Sequence, residues 1–240
     1  MFVHHGKKRT SKHNLQIASL LSFVAGIVNV AGFLAVAKLT TNVTGHFAFF
    51  VDEIFKLEVW QGVVYFLYIF FFFIGSFFSS LLVEIISRKN GKYVYIIPIF
   101  IECIILFLVA VFGQTLMAEN PDLIACTLLF AMGLQNSLVT RISNAVVRTT
   151  HLTGLFTDLG IELSQLFFYR QKELRTKLLA SIKLRLIIIS FFFIGGVIGG
   201  IFYSKIGLHI LLFGSATLIV GMIYDKLKLQ ITLLTRKYRH

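Results

Sequence analysis

The sequence predicts an all-α, polytopic membrane helix bundle. Six transmembrane helices form two inverted three-helix repeats, each with a short re-entrant or interfacial helix after its first span. Composition, the placement of positive charge and internal repetition carry this prediction. Of 240 residues, 57% are hydrophobic and 14% charged, with 26 Phe and two Pro, and mean hydropathy is +0.83. A globular domain carries about a quarter charged residues, so this composition excludes a large soluble fold. Cys103 and Cys126 lie inside apolar runs with neither disulfide nor metal spacing, and neither metal nor cofactor is expected.

A span needs about 20 apolar residues. Residues 16–37, 62–86, 93–114, 121–140, 184–204 and 207–224 satisfy this, and the first run is too long for a signal-peptide core. Segments 46–57 and 155–169 are apolar but short, and Asp52, Glu53, Asp158 and Glu162 interrupt them. With six crossings, all of the 23 Lys and Arg except Lys38, Lys56 and Lys205 fall on one side, which the positive-inside rule makes cytoplasmic. Both termini are then cytoplasmic, in a single domain of the cell (plasma or inner) membrane. It comprises a basic N-terminus (1–15), repeat 1 (16–118), repeat 2 (119–225) and a basic tail (226–240). The net charge of +12 reads as topology and as attraction to anionic lipid, not as nucleic-acid binding. The basic stretch Tyr169 to Arg185 is expected to lie along the cytoplasmic surface.

The repetition is explicit. Phe23-Val-Ala-Gly26-Ile-Val-Asn29 matches Phe130-Ala-Met-Gly133-Leu-Gln-Asn136. Thr40-Thr41-Asn42-Val43-Thr44-Gly45 matches Thr149-Thr150-His151-Leu152-Thr153-Gly154. Phe71 to Ser80 matches Phe191 to Gly200, including Gly75 with Gly195. The offsets grow slowly, from 107 (Gly26 to Gly133) through 109 (Thr44 to Thr153) to 120 (Gly75 to Gly195). Three spans per unit is an odd number, so the second unit enters from the opposite side, as in many secondary transporters. The small residues spaced four apart read first as helix-packing positions.

Polar groups inside these segments are the candidate substrate or pathway residues. The T-T-x-x-T-G loops supply Thr41, Thr44, Gly45 and His46 in one unit, and Thr150, His151, Thr153 and Gly154 in the other. A helix start there offers free N–H groups and a positive dipole end to a polar or anionic group, or simply a capped interfacial helix. Asn29 and Asn136 occupy matching positions as interhelical clamps or pathway groups. Glu102 stands alone mid-span and must be protonated, turned inward or paired, with Arg141, Arg148, His46 and His151 as candidate partners.

On Gly133-Leu-Gln-Asn136 through Arg148-Thr-Thr-His-Leu-Thr-Gly154, supported by Ala25-Gly26 and Thr44-Gly45, the chain resembles the YoaK family of bacterial integral membrane proteins, a domain of unknown function. It differs where that family tends to show Asp at position 29 and Asn at position 46. The resemblance implies a multi-span inner or plasma membrane protein. The function expected is a small-molecule transporter or permease-like protein with its site between the repeats. A membrane scaffold or assembly protein is the alternative. Without a nucleophile set, zinc-binding motif or phosphate loop, no enzyme is expected.

Overall fold

The computed structural model describes residues 11–89, 94–143 and 145–237. The ends of the two basic terminal segments (1–10 and 238–240) and the loop residues 90–93, with Lys92, lie outside the described residues. The described chain is helical: α1 (Ser11–Val36), α2 (Val43–Phe55), α3 (Val59–Lys89), α4 (Ile96–Glu119), α5 (Pro121–Ser143), α6 (Leu152–Phe168), α7 (Lys172–Ile206) and α8 (Leu211–Lys237). A 3-10 turn, Gly207–Ile210, separates the last two. Five stretches are long and apolar enough to cross a membrane, the fifth running from Lys172 to Tyr224. This is a multi-pass membrane protein. Phe66, Phe70, Phe73 and Phe77 form an exposed apolar surface on α3, which suits lipid and not water.

Helix directions follow from the contacts. Phe23 meets Gly195, and Ile27 meets Gly199, so α1 and α7 run parallel. Tyr68 bonds Asp122 and Arg141 reaches Ser80, so α3 and α5 also run parallel. By contrast, Gln135 bonds the Leu21 carbonyl while Gly32 faces Leu128, which sets α1 against α5. Gly221 meets Leu20 and Gly214 meets Val24, so α8 opposes α1. The chain therefore reverses at Gly207, whose φ of 58° belongs to the left-handed region that glycine tolerates. Residues 184–204 lie in α7, and residues 207–224 take in the 3-10 turn and the first half of α8.

The two parallel pairs cross at matched glycines. A Cβ on Gly26 would stand 2.1 Å from the Phe192 carbonyl oxygen, and one on Gly133 2.1 Å from that of Phe72. Gly75 and Gly195 stand in the same relation to Phe130 and Phe23, again at 2.1 Å. Without side chains at these points the backbones touch, which is how helices associate where lipid supplies no hydrophobic drive.

The basic stretch beginning at Tyr169 is not a separate surface segment. From Lys172 it forms the first turns of α7, because its leucines and isoleucines continue the helix into the span. Leu184 and Ile188 are buried.

Candidate functional site

Each T-T-x-x-T-G loop begins with an alanine in the left-handed region, Ala37 (φ 53°) after α1 and Ala145 (φ 62°) after α5. This turn sends the chain back along the helix it has just left. Thr40 Oγ1 donates to the Val28 carbonyl at 3.1 Å, and Thr41 Oγ1 donates to Asn29 Oδ1 at 2.6 Å. In the second loop Thr150 and Thr149 both donate to Asn136 Oδ1, at 2.9 and 3.4 Å. Asn136 itself donates to the Met132 carbonyl. Both asparagines lie seven residues before the end of their helix (Val36 and Ser143), a depth of about 10 Å at 1.5 Å per residue. The loops thus fold back alongside the helices they follow, and each is held there by its asparagine.

The short helices then lead back outward, antiparallel to the next long helix. On α2, His46 meets Tyr68 while Phe50 meets Phe66. On α6, Asp158 and Glu162 meet Arg185, and Glu162 also meets Ser181. Their N-terminal turns are consequently the deepest parts. Asn42, not Thr44, caps α2, its side chain accepting from the Gly45 N–H at 3.1 Å. His151 occupies the N-cap position of α6 without a side-chain cap bond, and its ring lies against Gly154, where a Cβ would stand 2.3 Å from Nδ1.

Both N-terminal turns line one cavity of about 980 Å³. Asn29, Thr41, Thr44 and Gly45 border it from one unit, and Thr150, His151, Thr153 and Gly154 from the other, with Phe72 and Phe192 between. Thr44 and Thr153 are exposed to it, and among the described residues their hydroxyls have no protein partner. A cavity walled by hydroxyls, amides and two helix N-termini offers hydrogen bonds and partial positive charge to a polar or anionic group.

Three candidates from the sequence sit elsewhere. Asn136 stands behind its loop as an anchor. His46 is buried, with Nε2 at 2.7 Å from the Leu39 carbonyl, and packs on Tyr65 and Tyr68. Glu102 is wholly buried and neither carboxylate oxygen has a partner. None of its four candidate partners bonds it. Arg141 instead pairs with Glu84 at 3.1 Å, because α5 turns that residue toward α3.

Sequence reasoning left out Phe72, Phe192, Thr157 and Asp158, which also line the cavity. The two phenylalanines were signalled by their matching places in the repeat. Asp158 read only as an interruption of an apolar segment, since its partner Arg185 is remote in sequence. A second cavity, of about 470 Å³, adjoins the first through His151, Gly154 and Asp158 and extends past Arg148 and Arg185. At the opposite end, the corresponding space holds Lys38, whose ammonium donates to the Tyr65 hydroxyl at 3.1 Å. Tyr68 there donates to Asp122.

Residues 17–224 match the family described as "Protein of unknown function (DUF1275)", and the chain belongs to that family, in keeping with its resemblance to YoaK proteins. Comparison with curated proteins and with solved structures found no match.

Proposed function

We propose that this DUF1275 protein is a small-molecule transporter or permease-like protein whose site is the cavity between two inverted three-helix units. The observation that carries the reading is the pair Thr44 and Thr153, matched in the repeat, exposed to one cavity and uncommitted to any protein group. Helix directions favour six crossings. With six, α1 and α5 point opposite ways, as their contacts require; if α2 and α6 crossed as well, making eight, they would be parallel. Charge then makes the end where α1 begins cytoplasmic. The exposed basic turns of α7 would meet anionic lipid there, and the reading assigns the protein no catalytic role.

A scaffold role is the second reading. It is favoured by the closed bonds of Thr40, Thr41, Thr149 and Thr150 onto α1 and α5, which behave as clamps. One experiment separates the two. Metabolites are compared between cells with and without the protein, and solutes that change are then tested for uptake into liposomes. Thr44→Val and Thr153→Val should each lower that uptake while folded yield is unchanged. Uptake unaffected by either change removes the two threonines from the site, and thermal stability lost with no solute carried favours the scaffold.

A further inference from the structure

Outside the cavity, the bundle holds a second polar layer that the reading above does not use. Helices α1, α4, α5 and α8 pack around one another. Cys103 and Ser215 exchange bonds between α4 and α8, Ser215 Oγ donating to the Cys103 carbonyl at 3.0 Å. This puts Glu102 level with the middle of that part of α8. The Leu20–Gly221 and Val24–Gly214 contacts put Ser22 at the same level on α1. Gln135 joins them from α5, since its Nε2 donates to the Leu21 carbonyl at 2.7 Å. Glu102 lies on the stripe of Val109 and Leu116, which face Leu123, Ile124 and Thr127 of α5, so its side is the α5 side.

Glu102, Ser22 and Gln135 are each 0% exposed. Each has polar atoms without a partner: both Glu102 oxygens, Ser22 Oγ and Gln135 Oε1. A buried polar atom left unpaired is costly, and an unpaired carboxylate costs most. The groups short of a partner are mainly acceptors, so what the layer lacks is hydrogen. Cys103, the next residue on the same helix, is its nearest titratable neighbour in sequence. The charged or titratable groups on the packed elements stand at least a turn above or below it. These are His13 on α1, Asp122, Cys126 and Arg141 on α5, Tyr224 among the described side chains of α8, His209 on the 3-10 turn, and Tyr65, Tyr68, Glu84 and Arg88 on α3.

We propose that Glu102 is a proton-binding site, loaded in this conformation, at the level of the buried polar groups of Gln135 and Ser22. The proton binds one carboxylate oxygen and leaves to water. The resulting charge cannot be held dry among these helices, so release requires the bundle to open. Gln135 is adjacent in sequence to Asn136, the anchor of the second cavity loop. Resting on the transport reading, this makes the proton the coupling ion of the cycle.

The test is infrared spectroscopy of the full-length protein in liposomes at neutral pH. Expected is the carbonyl band of a protonated carboxylic acid, lost in Glu102→Gln and moved in frequency in Gln135→Leu and Ser22→Ala. The latter two variants keep the test open where Glu102→Gln fails to fold. Absence of the band in the native protein overturns the proposal. So does a Na⁺-dependent rise in thermal midpoint, relative to choline, that Glu102→Gln abolishes, because the site then holds a metal cation. Coupling is read in liposomes loaded with a pH-reporting dye, with a desalted low-molecular-weight metabolite extract as probe. Solute uptake should bring internal acidification, lost in Glu102→Gln. Uptake without acidification overturns the coupling. No uptake, with the acid band intact, removes the transport reading and leaves the proton site standing.

Discussion

The two short-helix hairpins occupy equivalent places in the repeat and are fastened by different chemistry. Where α2 meets α3, Phe49 stacks on Tyr65 with ring centroids 5.2 Å apart, and His46 sits edge-on to Tyr68 at 4.9 Å. The repeat offsets carry Phe49 to Asp158 and Tyr65 to Arg185. In the second hairpin those positions form an ion pair of 2.8 Å, reinforced by Glu162 at 2.9 Å. One end of the molecule is thus filled with interlocking rings. The other is held by a few directional bonds beside the 470 Å³ cavity that joins the central one. Rings fill space whatever their precise contacts, whereas an ion pair can part and re-form once water reaches it. The second hairpin therefore borders open space continuous with the central cavity, whereas the first is packed ring on ring.

The largest effect is expected where the two halves depend on the same geometry. Gly75→Leu and Gly195→Leu place a side chain where 2.1 Å separates a Cβ from a carbonyl oxygen, and neither backbone can yield without parting the helices. Both should abolish folded, monodisperse protein in detergent chromatography, and to a similar degree. Normal yield for either would break the matched crossing on which the comparison stands.

Next is the ionic hairpin. Arg185→Gln leaves Glu162, whose side chain is 13% exposed, without its cation. A partly exposed pair costs less to break than a fully buried one, so a loss of about 2 kcal/mol in thermal or denaturant unfolding is expected. The converse test moves the pair across the repeat. Phe49→Asp and Tyr65→Arg should each destabilise the first hairpin, and the double variant should recover about 1 kcal/mol or more of the summed loss. Strict additivity would show that the two hairpins do not share backbone geometry.

A third test reads access. On a background with Cys103 and Cys126 replaced, Thr157→Cys should react with an impermeant thiol reagent applied from the side where α1 begins, several-fold faster than from the other. Tyr68→Cys should be slow from both. Equal labelling of position 157 from both sides would remove the asymmetry.

How much of this was readable in the chain depends on the range of the interaction. The loops, the asparagines and the glycines were legible because each repeats in sequence, and repetition survives without knowledge of packing. The closing of Thr41 onto Asn29 and of Thr150 onto Asn136 was not legible, because the left-handed turns at Ala37 and Ala145 carry no glycine to announce them. Arg185 looked like one more topological charge, since sequence gives its sign and not the neighbour that neutralises it. His46 was named from its place in the loop, which gave no sign of its contacts with the Leu39 carbonyl and the two tyrosines. Glu102 read as protonated, turned inward or paired, and the sequence did not choose among the three. The cost of a carboxylate facing lipid argued for turning it inward; it is buried, and among the described residues neither of its oxygens has a partner.

The smallest effect tests the equivalence of the two loops most directly. A left-handed conformation costs an alanine about 1–2 kcal/mol, which glycine does not incur. Glycine in turn adds unfolded-state entropy, costing about 0.5–1 kcal/mol. The balance for Ala37→Gly and Ala145→Gly is a gain of about 0.5 kcal/mol each, read as a small rise in thermal midpoint. Their amides already close the preceding helix, Ala37 to the Phe33 carbonyl at 2.8 Å and Ala145 to that of Thr140 at 2.7 Å, so the substitution leaves the hydrogen bonds as they are. Equal gains mean that the two turns are the same device built twice. A gain at one and a loss at the other would mean that the loops reach their common depth by different turns, and that the likeness between them stops at the threonines.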